Sequence, residues 1–389
     1  MPDWFYHVFI EGEAVESPFY DTLLELRVDE NVSGAGTFAV RFSLSKLDNG
    51  GWSCLDDERF DLFNRLTVRA GFGTLAGECL IDGFITRKRA HFIEDESGSY
   101  LEISGMDHTV LMNLEEKSVV WQDMKDSDIA TKIFSDYQIS PVVDDTGFLY
   151  KKNEGNVIQK GTDIQFLKGL ARRNGYECHI DTDASGNTRG YFRKPVLDEK
   201  SQKSLALHFR DNSNLVSLDS RIDSLRPLSV TAEQSDTTTK KRIKGSATTP
   251  QSPVLGGIPL NELINQKLSH LVRPRESVCR IQVTRPVAPP LLQNYVQTIL
   301  DEGAWFVSVK GEINSDAYQS VLRSKHPVLI KGAGLALSGT YYVTKVSHVF
   351  TPGKYVQLFE ARRNALDLTG NEVFVEESEL VPEEGAVLI

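Results

Sequence analysis

Short runs in which apolar and polar residues alternate, each closed by a glycine-rich turn, limit most strongly what this chain can fold into. A two-residue period fits a half-buried strand and no helix. The stretch Val328 to Asn364, V-L-I-K-G-A-G-L-A-L-S-G-T-Y-Y-V-T-K-V-S-H-V-F-T-P-G-K-Y-V-Q-L-F-E-A-R-R-N, reads as strand, turn, strand, turn, strand. Simple alternation puts Tyr342, Thr344, Val346, His348 and Phe350 on one face and Tyr341, Val343, Lys345 and Ser347 on the other. Pro352-Gly353 marks the reversal between Thr351 and Lys354. The same order occurs once before, from Val68 to Asp107: V-R-A-G-F-G, then D-G-F-I-T-R-K-R-A-H-F-I, then S-Y-L-E-I-S-G-M-D. Each copy has a glycine-rich reversal, a strand with I-T-R or V-T-K and a His a few residues on, and a strand beginning with Tyr. An internal duplication of one β unit is the reading.

At 389 residues the chain exceeds one ordinary core, and frequent turns favour β structure. Alternation at Leu24, Leu26 and Val28, then Phe38, Val40, Phe42 and Leu44, then Leu66, Val68 and Ala70, predicts a first antiparallel β domain over 1–118. Residues 119–214 change texture and predict a small α+β domain. One helix is capped by Ser127, with Asp128 at its positive end and Ile129, Ile133, Phe134 and Tyr137 as its buried stripe. A second opens on the capping box Thr162 to Gln165 and stops at Gly175. A second β domain is predicted from 215–250 and 304–370, with a helical insertion over 251–303 around Leu260, Leu263, Ile264 and then Leu292, Val296 and Leu300. Glu233 to Pro259, polar and basic, reads as a mobile loop or linker. The tail, 371–389, carries six Glu among apolar residues, which a solvated acidic tail does not need. Phe374, Val375, Glu376, Glu377, Leu380, Val381, Leu388 and Ile389 are its candidate partner-contact residues, ordered only against a partner.

The net charge of −11 argues against non-specific binding to phosphate backbones. Lys240-Lys241-Arg242, the densest basic run, reads as a solvated loop. Cys54, Cys79, Cys178 and Cys279 lie far apart with no C-x-x-C, which fits a reducing cytosol. The N-terminus lacks a basic n-region and nothing approaches a spanning length. Gly34-x-Gly36 and Gly332-x-Gly334 are flanked by strands and open no helix, so they read as turn glycines and not as a nucleotide fingerprint. Asp107-His108, with Ser104 before them, has no G-x-S-x-G elbow nearby and reads as a polar strand end. The eight histidines show no metal-ligand spacing, and His348 reads as a structural, hydrogen-bonded side chain. Asp56-Asp57 and Asp144-Asp145 read as turn residues. No catalytic constellation, cofactor or metal is expected.

Three stretches together resemble a known family. G-T-D-I-Q-F-L-K-G-L-A-R-R-N-G-Y-E-C is similar to a segment of phage tail-hub proteins, L-S-G-T-Y-Y-V-T-K-V-S-H-V-F with Y-V-Q-L-F-E-A-R-R-N resembles their closing strands, and I-D-G-F-I-T-R-K with S-G-M-D-H-T resembles the end of their first domain. This is the late control D family, which includes the base of VgrG spikes and the hubs of contractile injection systems. The resemblance implies a mainly β, α+β chain with two similar antiparallel β-barrel (tube-like) domains. It implies a homotrimer at the baseplate centre, presenting six barrels to a hexameric tail-tube protein on one face and a trimeric spike on the other, with wedge proteins around it. The chain stops soon after its second β unit, so the spike is expected to be a separate protein. The resulting expectation is a structural hub in a phage tail or injection particle, made in the cytoplasm, with no membrane segment and no sequence-specific nucleic-acid partner. A tail-borne cell-wall hydrolase and a self-polymerising tube protein are the alternatives.

Overall fold

The computed structural model describes residues 3–372 apart from 49, 74–76, 95–97, 151–156, 184, 209–212, 236–239, 269–277, 283–287 and 371. The candidate tail residues Phe374, Val375, Glu376, Glu377, Leu380, Val381, Leu388 and Ile389 lie outside the described residues.

The chain begins with β1 (Trp4–Ile10), β2 (Glu13–Ala14), α1 (Ser17–Asp21), β3 (Leu23–Asn31), β4 (Thr37–Ser43), β5 (Arg65–Phe72), β6 (Glu78–His91) and β7 (Tyr100–Asp107). Its middle holds β8 (Glu116–Trp121), β9 (Met124–Lys125), α2 (Asp126–Asp136), β10 (Ser140–Val143), β11 (Leu149–Tyr150), β12 (Val157–Thr162), α3 (Asp163–Asn174), β13 (Glu177–Thr182) and β14 (Thr188–Arg193). Then come β15 (Gln202–Ala206), β16 (Leu215–Ile222), β17 (Ser229–Ser235), β18 (Arg242–Ala247), β19 (Ile258–Pro259), α4 (Leu260–Leu268), β20 (Val278–Gln282) and α5 (Pro289–Gly303). The last elements are β21 (Val307–Asn314), α6 (Ser315–Tyr318), β22 (Pro327–Lys331), β23 (Gly339–Thr351), β24 (Lys354–Arg363) and β25 (Ala365–Leu366). The architecture is mainly β with α+β character, dominated by one large curled sheet of 13 strands.

That sheet contains the same pairing pattern twice. In the first half the spatial order is β3-β4-β7-β6-β5, and in the second β16-β21-β24-β23, with β22 on β23. Chain order and spatial order match strand for strand, so β16, β21, β22, β23 and β24 repeat β3, β4, β5, β6 and β7. The irregularities repeat as well. β3 shifts register against β4 between Leu23 and Glu25, and β16 against β21 between Leu215 and Ser217. β6 shifts against β7 between Ile85 and Arg87, and β23 against β24 between Val343 and Lys345. The extra residue is a threonine both times: Thr86 Oγ1 donates to Ser104 O at 3.4 Å, and Thr344 Oγ1 to Glu360 O at 3.1 Å. I-T-R and V-T-K are thus the two bulges.

A bulge reverses the alternation of side chains beyond it. The expected faces of β23 are corrected for that reason. Tyr341 and Val343 share a core with Val346, while Tyr342 lies among Val32, Leu197, Leu255 and Trp305. Elsewhere the period of two holds. Leu26, Val28, Phe38, Val40, Phe42, Leu101 and Ile103 fill the first core, and Val307, Val309, Ile313, Phe359 and Ala361 belong to the second. The face turned away from these cores is polar: Arg41 meets Glu102 at 2.8 Å and Lys310 meets Glu360 at 3.2 Å. Gly353, at φ 75°, makes the β23–β24 turn where a side chain would be strained.

The middle section forms its own core around Ile129, Phe134, Leu167, Leu170 and Phe192. Both helices begin near the expected places, but their caps differ. Lys125 holds the cap of α2 and its N–H donates to Asp128 Oδ2 at 3.1 Å, so Ser127 already lies inside the helix. At α3, Thr162 is the cap residue, yet its hydroxyl turns to Asn113 Oδ1 at 2.9 Å and makes no cap bond. Glu233 to Pro259 also differs from a loop. β18 pairs with β17, β20 joins parallel, and α5 covers this three-stranded sheet with Leu292, Val296 and Leu300. Among the described residues of 215–250, only β16 enters the large sheet. Among the described residues no helix is long and apolar enough to cross a membrane.

Candidate functional site

Two features of the large sheet stand out: a buried polar seam joining its repeats to the middle section, and strand edges on β6 and β16 that no strand covers among the described residues.

The seam begins where β3 meets β23, the junction of the two repeats. Glu30, 5% exposed, ends the alternation of β3. It accepts from Arg323 Nε at 2.6 Å and from Ser324 N and Oγ at 2.9 and 3.1 Å. His348 Nε2 lies 3.6 Å from Glu30 Oε1, an ion-pair distance too long for a hydrogen bond, while its Nδ1 faces Tyr355 OH at 2.9 Å. Burial alone would raise the Glu30 carboxyl, but Arg323 and His348 hold it down at about 2. Two residues after Arg323, Lys325 Nζ reaches Asp181 Oδ1 of β13 at 2.7 Å. Asp181 Oδ2 faces His179 Nε2 at 3.2 Å. Burial, helped by the Lys325 charge, lowers the His179 pKa to about 4. Asp82 of β6 binds Arg65 Nε at 2.7 Å and His108 Nε2 at 3.1 Å, with Thr182 Oγ1 at 3.4 Å. Lys325 and Thr182 thus tie the middle domain to both repeats.

The first edge is the outer side of β6 beyond its bulge. β5 pairs β6 only as far as Phe84, and among the described residues no strand covers 87–91 on that side. The exposed residues there are Arg87, Arg89 and His91, followed by Phe92 and Ile93. The second edge is the outer side of β16, where the sheet path ends among the described residues: Val216, Asp219, Arg221 and Ile222 are exposed. Unpaired edges of this kind invite pairing with another chain unless something blunts them.

The singled-out residues fall where strand ends and turns need them. Asp107 accepts from Gly36 N at 2.6 Å and Thr109 N at 2.9 Å. Asp145 binds Lys125 and the N–H of Gly147, both at 3.0 Å, and Asp57 accepts from Arg59 N at 3.0 Å. Tyr342 OH donates to Glu177 Oε2 and Tyr341 OH to Leu337 O, both at 2.7 Å. A cleft of about 400 Å³ between α3 and α5 is lined by charges of both signs, among them Lys168, Arg172, Arg362 and Glu302. Among the described residues no three His, Cys, Asp or Glu converge as metal ligands. Sequence reasoning missed Glu30, Arg323, Lys325 and Asp181, because a seam between distant strands leaves no local spacing. The R-K-R of 87–89 was visible but carried no sign of being an edge.

The family model described as Alg8 N-terminal domain matches residues 5–351, a description other than late control D. No curated protein matches the chain. Among solved structures it is similar to the 43 kDa tail protein of prophage MuSo2 from Shewanella oneidensis, at 14% identity and TM-score 0.62 over 94% of this chain and 100% of that one. A tail protein from Neisseria meningitidis MC58 follows at 12% and 0.61, over 93% and 96%. An E. coli component of the type VI secretion system, described as structurally similar to T4 bacteriophage tail proteins gp27 and gp5, aligns at 14% and 0.52, over 92% and 76%. At these identities the likeness is one of fold.

Proposed function

We propose, for a chain that belongs to the Alg8 N-terminal domain family, that it is a structural hub: a homotrimer at the centre of a tail or injection-particle baseplate that adapts a hexameric tube to a trimeric spike. The observation that carries this reading is the repetition of one five-stranded pairing pattern, bulges included, within a single sheet. Two equivalent units per chain under threefold symmetry give six near-equivalent units, and a sixfold tube can stack on those. In this reading the units are two similar barrel-like tube domains, one built on β3 to β7 and the other on β16 and β21 to β24, with the middle domain between them. The likeness in fold to phage tail proteins and a type VI secretion component supports it. The role is one of symmetry matching and force transmission, not turnover. Spike docking falls to the acidic, apolar-studded tail that includes Phe374, Val375, Leu380 and Ile389.

The test is the mass of the purified 43.5 kDa chain by light scattering, with and without tube protein. A three-chain species that binds tube rings is expected. A monomer at every concentration that never co-assembles with tube protein overturns the reading, and long homopolymers would make it a tube protein instead.

A further inference from the structure

We infer that the open edge of β6 in one copy pairs with the open edge of β16 in the next, so that the sheet runs on across the subunit boundary. The partner is a second copy of this chain. The inference deepens the hub reading and rests on it for the number of copies, but the junction itself is read from the repeat.

Inside the chain the two units are already joined once. Beyond its bulge, β23 pairs with β3 from Lys345↔Asn31 through Val346↔Glu30, Ser347↔Asp29, His348↔Val28 and Val349↔Arg27 to Phe350↔Leu26. The counterpart of β23 is β6 and that of β3 is β16. Their matching edges are both left open among the described residues. A heterologous contact of this kind uses one edge of each sort per copy and closes into a ring when the rotation allows.

Transferring the internal register, aligned on the shared bulges, sets Arg87 opposite Asp223, Lys88 opposite Ile222, Arg89 opposite Arg221, Ala90 opposite Ser220, His91 opposite Asp219 and Phe92 opposite Leu218. The chemistry suits it. Arg87 and His91 each face an aspartate, and Arg89, set against Arg221, is diagonal to both aspartates and within reach of them, which offsets the like-charge pair. Asp223 also pairs with Arg226 at 3.3 Å and so would sit between two guanidinium groups. Phe92, 48% exposed, would meet Leu218 where the internal junction has Phe350 on Leu26, both fully buried. Ile222, 47% exposed, would be covered too.

Paired cysteines test the register in the full chain. Ala90→Cys with Ser220→Cys should give, on mild oxidation, covalent species of two and three chains. Ala90→Cys with Arg221→Cys, which points to the opposite face, should not, and each single variant controls for the native cysteines. Arg87→Asp should raise the dissociation constant of the oligomer about ten-fold, and adding Asp223→Arg should restore it, which a misfolded variant could not do. An oligomer that persists while neither pair cross-links, or both do equally, overturns this junction and leaves the hub reading standing. A protein monomeric at every concentration overturns both.

Discussion

Glu30 and His179 are buried groups of the seam whose protonation folding displaces. The folded value lies below the ordinary one in each: about 2 against 4.5 for Glu30, where Arg323 and His348 outweigh burial, and about 4 against 6.5 for His179, where burial disfavours the cation. As pH falls the unfolded chain therefore binds these protons first, so stability drops on acidification at both: Glu30 loses favourable contacts of its carboxylate, and His179 must take up a proton that burial disfavours. His179's contribution is lost from about pH 6.5 down to about 4, and Glu30's from about 4.5 down to about 2. A pKa unit is about 1.4 kcal/mol, so each contribution is on the order of 3 kcal/mol. Urea unfolding between pH 7 and pH 3 should show stability declining in two stages. His179→Gln should flatten the upper stage. Glu30→Gln should reduce the lower one without removing it, because Asp181 is also held below its ordinary value, burial opposing and Lys325 prevailing. An upper stage unchanged in His179→Gln would assign it to another group.

At the scale of the strand, the bulges at Thr86 and Thr344 decide which side chains reach the core. Removing Thr344 would restore a strict period of two through β23 and turn Tyr341 and Val343 from the second core to the opposite face. The expected cost is several kcal/mol, since two fully buried side chains lose their packing. Thr344→Ala keeps the extra residue and loses only the bond to Glu360 O, about 1 kcal/mol. Urea midpoints compare the two. A deletion no more costly than Thr344→Ala would show that the bulge does not set the register. The same strand shows where the fold was legible in sequence and where it was not. Alternation, turn glycines and the repeated I-T-R and V-T-K predicted strands and a duplicated unit, because those are local. The bulge has no composition of its own, so Tyr341 and Tyr342 came out on each other's faces. The end of β17 and all of β18 looked like a loop because Thr, Ser and Lys carry little apolar signal, though α5 buries Ala247 of β18 beneath it. The candidate site was the least legible part. Which edge stays open depends on how strands far apart in the chain pair, as β3 and β23 do, and no spacing along the chain encodes that.

At the scale of the whole molecule, assembly and spike retention should be separable, because they draw on different stretches of chain. The two open edges involve residues 87–92 and 218–223, held by the repeated sheet. The segment assigned to the spike follows β25, the last strand among the described residues, and has a different composition: six Glu from Glu372 onward, with Val373, Phe374, Val375, Leu380 and Val381 between them and Val387, Leu388 and Ile389 after them. Such a segment buries too little on its own to offset ordering, but it supplies apolar anchors and charge to a partner that covers it. Deleting Glu376 to Ile389 should therefore leave the mass of the oligomer and its binding to tube protein unchanged while lowering the spike co-purified with it about ten-fold or more. Lost oligomerisation would place the tail in the subunit junction and count against the β6–β16 edge as sufficient. Unchanged spike retention would move the docking surface elsewhere on the hub. The described cores and seam are built from residues outside the deleted stretch, so unfolding in urea should match the full chain, which keeps a loss of spike from being read as a loss of fold.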